Sequence, residues 1–175
     1  VKIKLKDDEA GIFDEHSFEK TFEKDLKKAK KSIVIFSAFC TEKRTAFWGD
    51  ILRQKKEQAV KIRVVTRCQV NQGASLKDTA TLAIKSLIKL KINVDLRKDI
   101  HHKMVFIDDN IVWNGSLNVL SYGGKSTQAE TFIKFIYEVF MCIKRFSYQS
   151  SCVNYYNLWI KYYSGFCRPV SYTHL

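Results

Sequence analysis

The sequence predicts an α/β domain: a mixed β-sheet flanked by helices on both faces. Three observations carry this reading. Helical apolar stripes alternate along the chain with short apolar strands, an apolar hairpin closes the series, and 175 residues at 46% hydrophobic and 13% aromatic suit one domain with a real core.

The elements follow in order. Phe18, Phe22, Leu26 and Ala29 recur at helical spacing through "SFEKTFEKDLKKAKKS", with Ser17 placed to cap the start, and "IVIFSAF" (33–39) follows as a buried strand. "TEKRTAFWGDILRQKKEQ" reads as a second helix, with Thr41 near its cap and Phe47, Trp48, Ile51 and Leu52 as its core side. "VKIRVVTR" then alternates as a strand. Ala80, Ala83, Ile84 and Leu87 form a third helical stripe, and Ile92, Val94 and Leu96 alternate in "INVDLR". Strands alternating with helices imply a largely parallel sheet covered on both faces, to which the hairpin in "HHKMVFIDDNIVWNGSLN" (101–118) adds antiparallel pairing.

Charge points to the class of partner. Thirty Lys+Arg against eighteen Asp+Glu give a formal net charge of +12, which suits a polyanionic partner such as nucleic acid or an anionic membrane surface, or else is simply a solvated basic surface; the basic runs "KKAKKS", "EKR" and "RQKK" and Arg67 would attract a polyanionic backbone. The five cysteines (Cys40, Cys68, Cys142, Cys152, Cys167) are odd in number and lack C-x-x-C spacing, which argues against a disulfide framework or a zinc site and for a reducing, cytoplasmic setting. No amino-terminal apolar leader is visible. The longest greasy run, "FIKFIYEVFMCI", is too short to span a bilayer and contains Lys134 and Glu138, so no transmembrane segment is expected. The chain starts at Val1 without Met, and residues 139–175 shift to Tyr, Cys and Phe without a clear periodicity. The expected division is therefore a domain over 1–138 and a tail over 139–175 that reads as truncated or frame-shifted.

The hairpin gathers polar residues at both ends. With a two-residue turn at Asp109 and Asn110, Asp108 faces Ile111, Lys103 lies opposite Ser116 and His101 opposite Asn118. That register puts an imidazole, an ammonium, a hydroxyl and a carboxamide at one end of one face, which Val105, Ile107, Val112 and Asn114 continue toward the turn, while His102 points the other way. Gly115 lacks a side chain, so a ligand or another backbone can approach closely there.

Together these residues spell His-x-Lys-x4-Asp-x6-Gly-Ser-x-Asn: His101, Lys103, Asp108, Gly115, Ser116 and Asn118. Six fixed identities arise by chance roughly a few times per million sequences of this length, so coincidence is a poor rival. At these residues the sequence resembles the phospholipase D superfamily, whose HKD motif followed by GSxN is present without gaps. "IVIFSAFCTEKR", "VKIRVVTR" and "NGSLNVLSY" look most like the nuclease-type modules attached to bacterial DNA helicases and restriction or repair proteins.

The resemblance implies a metal-independent phosphodiesterase that needs no cofactor, in which His101 attacks phosphorus and water hydrolyses the resulting phosphohistidine. It implies that Lys103 and Asn118 hold the non-bridging phosphate oxygens, with Ser116 as a supporting donor. Glu130, in "STQAETF", matches the downstream carboxylate that orients the nucleophile; the alternative is that it merely begins the strand "TFIKFIY". Asp108 and Gly115 are expected to act structurally, and His16, His102 and His174 are expected to stand outside the chemistry. A single HKD motif implies that a second histidine comes from a homodimer partner or from a second such domain in a longer polypeptide, to which a helicase domain is a further expected attachment. DNA is the expected substrate. A phospholipid phosphodiesterase or phosphatidyltransferase, and a non-catalytic DNA-targeting module of a helicase, are the alternatives.

Overall fold

The structure, a computed structural model, describes residues 10–68, 74–108, 110–122 and 129–136. All of them fall within the compact unit Val1–Tyr137. The tail over 139–175, with Cys142, Cys152, Cys167 and His174, lies outside the described residues.

In chain order the elements are β1 (Gly11–Asp14), α1 (Phe18–Lys28), β2 (Ser32–Ser37), α2 (Glu42–Glu57), β3 (Lys61–Arg67), α3 (Ala74–Lys89), β4 (Asn93–Arg97), β5 (Lys103–Ile107), β6 (Ile111–Gly115) and β7 (Thr131–Ile136). The seven strands form one mixed sheet in the order β1-β7-β6-β5-β2-β3-β4. β2, β3 and β4 are parallel neighbours, whereas β2 with β5, β5 with β6, β6 with β7 and β7 with β1 are antiparallel. Antiparallel pairing is thus more extensive than the strand–helix alternation implies, because β1 and β7 extend the hairpin side of the sheet.

The steps β2 to β3 and β3 to β4 run in the same direction, so right-handed crossovers bring α2 and α3 onto the same face. Phe18, Phe22 and Leu26 of α1 join Trp48 and Leu52 of α2 and Ala83, Ile84 and Leu87 of α3 in one core. That core packs against Ile33, Ile35, Ile62, Val64, Val105, Ile107 and Trp113 of the sheet. The second face carries the buried side chains of Phe36, Val65, Met104 and Val112; a helical layer over it is not among the described residues. Each fully buried Phe or Leu of the core contributes about 1.5–3 kcal/mol.

Two local expectations are corrected. Ser17 occupies the first cap position of α1 but makes no side-chain cap bond. Its hydroxyl donates instead to Asp14 Oδ1 (2.6 Å), which also accepts from the amides of His16 and Ser17 and is held below the usual carboxylate range by the Ser17 bonds first of all. Phe47 is 54% exposed and not in the core. The space inside α2 goes to Arg44, Thr45 and Lys55, because Arg44 lays its guanidinium 4.4 Å from the Phe47 ring and 4.9 Å from Trp48, and pairs with Glu19 at 2.6 Å. Arg44 and Lys55, members of two of the basic runs, are therefore spent inside the fold and offer little to an external anion.

The hairpin register is the third correction. Met104 pairs with Asn114, Val105 with Trp113, Phe106 with Val112 and Ile107 with Ile111, so three residues, not two, separate the strands. Asp108 takes a left-handed φ of 51° and Asn110 N–H returns to the Ile107 carbonyl at 3.2 Å, inserting the extra residue. Asp109 lies outside the described residues. Lys103 consequently continues opposite Gly115, not Ser116, and Trp113, not Val112 or Asn114, shares the helix-covered face with Val105.

Candidate active site

The strand directions bring the motif to one edge of the sheet. β2, β3 and β4 end there, β5 begins there as their antiparallel neighbour, β6 ends there and β7 begins there. Lys103 is paired with Ser37 of β2, and Ser37 with Thr66 of β3, which ties the start of β5 to the carboxyl ends of the parallel strands, the usual ligand-binding edge of open α/β sheets.

His101 is exposed and immediately precedes β5. Its carbonyl oxygen accepts from Lys103 Nζ at 3.1 Å, folding the ammonium back beside it and leaving two of its three N–H donors for other partners. His102 lies on the second face, edge-on to Phe36 with ring centroids 6.3 Å apart. Partial burial, then the nearby His101 and Lys103, push its pKa below the ordinary histidine value.

Beyond β6 the chain turns across the same edge. Ser116 N–H donates to the Thr131 carbonyl (2.9 Å), and Ser116 Oγ accepts from Thr131 N–H (3.0 Å), so the serine hydroxyl keeps its own proton to donate. Asn118 Oδ1 accepts from Phe39 N–H at 3.4 Å, which fixes the amide oxygen toward the loop after β2 and turns the NH2 group away from it. The backbone of this segment is anchored from α2: Val119 O accepts from Arg44 Nε and Trp48 Nε1, each at 3.2 Å, and Leu120 O accepts from Thr41 N–H at 2.8 Å. Thr41 itself caps α2, as its position in the sequence predicts.

Gly115 has a steric reason. A Cβ there would meet the Thr131 carbonyl oxygen at 1.9 Å, so it is the backbone of β7 that exploits the missing side chain. Asp108 lies at the opposite edge, where its carboxylate accepts from three consecutive backbone amides, Lys30 (2.6 Å), Lys31 (2.6 Å) and Ser32 (2.9 Å). These bonds tie the hairpin turn to the backbone that leads into β2. Glu130 precedes β7 at the site edge, but no hydrogen bond joins its carboxylate to His101; its amide donates to Glu15 Oε2 at 3.2 Å. His16 is exposed and lies 3.7 Å from Glu15.

Sequence reasoning missed Phe39, Arg67 and Glu15 as neighbours of this edge. Phe39 and Glu15 carried no spacing signal, and the basic Arg67 was visible only as a charge. A cavity of about 530 Å³ lies at the other edge, lined by Lys27, Lys28, Ala29, Lys30, Lys55, Gln58 and Val60. It holds no nucleophile and none of the motif residues. Among the described residues no helix is long and apolar enough to cross a membrane.

No curated protein matches the chain. Among solved structures, NucT from Helicobacter pylori is similar over 80% of this chain and 92% of its own, at 20% identity and a TM-score of 0.58. Nuc from Salmonella typhimurium, a phospholipase D family member, is similar over 73% of this chain and 83% of its own, at 18% identity and a TM-score of 0.57. Polyphosphate kinase from Porphyromonas gingivalis reaches 0.55 at 8% identity, over 82% of this chain and 27% of that one. These likenesses establish the fold. Residues 22–137, which include every residue of the HKD and GSxN motif, match the family described as "Cardiolipin synthase, PLD-like domain". The chain belongs to the phospholipase-D-like superfamily of phosphodiesterases.

Proposed function

We propose that residues 1–138 form a metal-independent nuclease domain that cleaves DNA phosphodiester bonds through a covalent phosphohistidine on His101. The observation that carries the reading is the state of the donors at the site edge. Lys103 retains two N–H groups, Ser116 retains its O–H, and Asn118 directs its NH2 away from the one group that binds its oxygen. These are the groups a phosphoryl transition state requires on its non-bridging oxygens. His101 attacks phosphorus, the leaving oxygen departs with a proton from a second histidine, and that histidine, now neutral, deprotonates the water that regenerates His101. With one HKD motif in this chain, the second histidine belongs to His101 of a homodimer partner or to a further HKD domain of a longer polypeptide. Glu130 is the carboxylate offered to orient His101 when substrate is bound. DNA is favoured over other diesters by the formal net charge of +12. A cytoplasmic helicase- or restriction-linked protein is the setting this reading suits.

The description of the matching family, a cardiolipin synthase type, supports a second reading in which the diester is a phospholipid. The test is incubation of labelled single- and double-stranded DNA, and of phosphatidylglycerol vesicles, with wild-type protein and His101→Ala in EDTA. DNA cleavage that survives chelation and vanishes in the variant is the expected result. Lipid turnover without DNA cleavage favours the second reading, and salt-sensitive DNA binding without turnover overturns both in favour of a targeting module.

A further inference from the structure

Lysine is among the side chains least often buried without a partner of opposite charge. Lys55 is 7% exposed, and no carboxylate pairs with it among the described residues. Its Nζ donates to the Ala29 carbonyl (3.0 Å), just beyond the end of α1, and to Gln58 Oε1 (3.0 Å). Neither acceptor carries a net charge. An ammonium has three N–H donors, so Lys55 holds the end of α1 with one, binds Gln58 with another, and has a third left over.

Lys55 belongs to the wall of the cavity of about 530 Å³ at the edge of the sheet away from the motif, and so do both of its acceptors. It has little to give an anion outside the fold, yet its third N–H is available to one that enters the cavity. Lys27, Lys28 and Lys30 bring the cations of the lining to four. Lys27 is paired with Glu23 at 2.5 Å, whereas Lys28 and Lys30 are exposed and make no ion pair among the described residues. The plain alternative is that these lysines only offset helix ends, since α1 and α2 both finish here, each with about half a negative charge. The magnitudes decide against it. Glu23 and the two helix ends together account for about two of the four positive charges, and about two remain. Asp108 reaches the backbone of Lys30, but its carboxylate is already taken by three amides.

We infer that this cavity is a binding site for a phosphate dianion, held by Lys28, Lys30 and the third N–H of Lys55. The residual charge matches that of one phosphomonoester group at neutral to basic pH. The volume lies within the range of small-ligand sites, and the buried Ala29 and Val60 give the rest of a phosphorylated molecule an apolar surface to rest on. A free phosphate compound and the terminal phosphate of a nucleic-acid strand present the same group. The site is separate from the motif, and the inference stands whether or not the nuclease reading does.

The experiment follows backbone amides by NMR at pH 8 in the full-length chain, titrated with inorganic phosphate at ionic strength held constant with chloride. A His101→Ala chain, which prevents cleavage, is titrated with a 5′-phosphorylated trinucleotide and with its 5′-hydroxyl counterpart. Lys28→Gln/Lys30→Gln is the test variant: both side chains are exposed, and Lys55, which holds the end of α1, is left in place. Phosphate should shift the amides of Ala29, Lys30 and Gln58 to saturation, and the double variant should weaken that response by about tenfold or more while leaving any response at Ser116 and Asn118 unchanged. A tighter response to the phosphorylated trinucleotide than to phosphate assigns the site to strand ends, and a response no tighter than that to phosphate assigns it to free phosphate compounds. The inference is overturned by shifts confined to Ser116 and Asn118, by shifts at Ala29, Lys30 and Gln58 that chloride alone reproduces, or by a response that survives intact in the double variant.

Discussion

The two ends of the β5–β6 hairpin hold members of one motif in opposite states. At the turn end, Asp108 is saturated: its carboxylate takes three backbone amides that lead into β2, and its own N–H goes to the Ser32 carbonyl at 2.9 Å. At the open end, His101 is exposed, and the polar groups of Lys103, Ser116 and Asn118 use only part of their hydrogen-bonding capacity on the protein. Polar groups that fold a protein are satisfied internally, whereas groups that meet a ligand keep capacity in reserve. The motif therefore divides into a member satisfied within the fold and members with hydrogen-bonding capacity left over, separated by the length of a five-residue strand.

That division can be broken by substitution. The largest effect belongs at the open end: His101→Ala should lower DNA cleavage on the order of a thousandfold or more while leaving the urea midpoint unchanged, read by oligonucleotide cleavage and circular dichroism. Gly115→Ala tests whether the open end also has a structural member; the clash with the Thr131 carbonyl should cost about 3 kcal/mol, measured by urea unfolding. At the turn end the signature reverses. Asp108→Ala should cost about 2–3 kcal/mol of stability through loss of charge-assisted bonds to three amides, with kcat of the folded protein within about twofold of wild type. A drop in kcat as large as that of the His101 variant would abolish the distinction.

The smallest effect concerns pH. Burial holds the folded-state pKa of His102 below 6.5, so the unfolded chain takes up its proton first as the solution is acidified. Its contribution to stability is full above pH 6.5 and falls as the pH drops from there toward the folded value. His102→Gln should flatten that part of the stability curve in denaturant titrations from pH 7 to 5, with no change in the exposed-site chemistry of His101.

Much of this was legible in the residues. The apolar stripes of α1, α2 and α3 fall where the spacing of Phe18, Trp48 and Leu87 predicts, because a helix that buries one side must repeat its apolar residues at its own period. β1 was not legible, since four residues, "GIFD", leave too little alternation to read, and it forms because β7 offers an open edge. Phe47 misled because a large aromatic at helical spacing resembles a core residue, yet it covers Arg44 from outside.

The sequence by itself determined the family: fixed identities at fixed separations, on strands whose side chains alternate, are a local property of the chain. Only the tertiary structure decided the hairpin register, since a single left-handed residue at Asp108 adds one position to the loop and shifts every cross-strand partner. It alone also decided which cations remain outside. Arg44 and Lys55 share their charge with Arg67 and Arg97, but burial is set by what packs around a side chain, and that information is distributed over elements far apart in the chain.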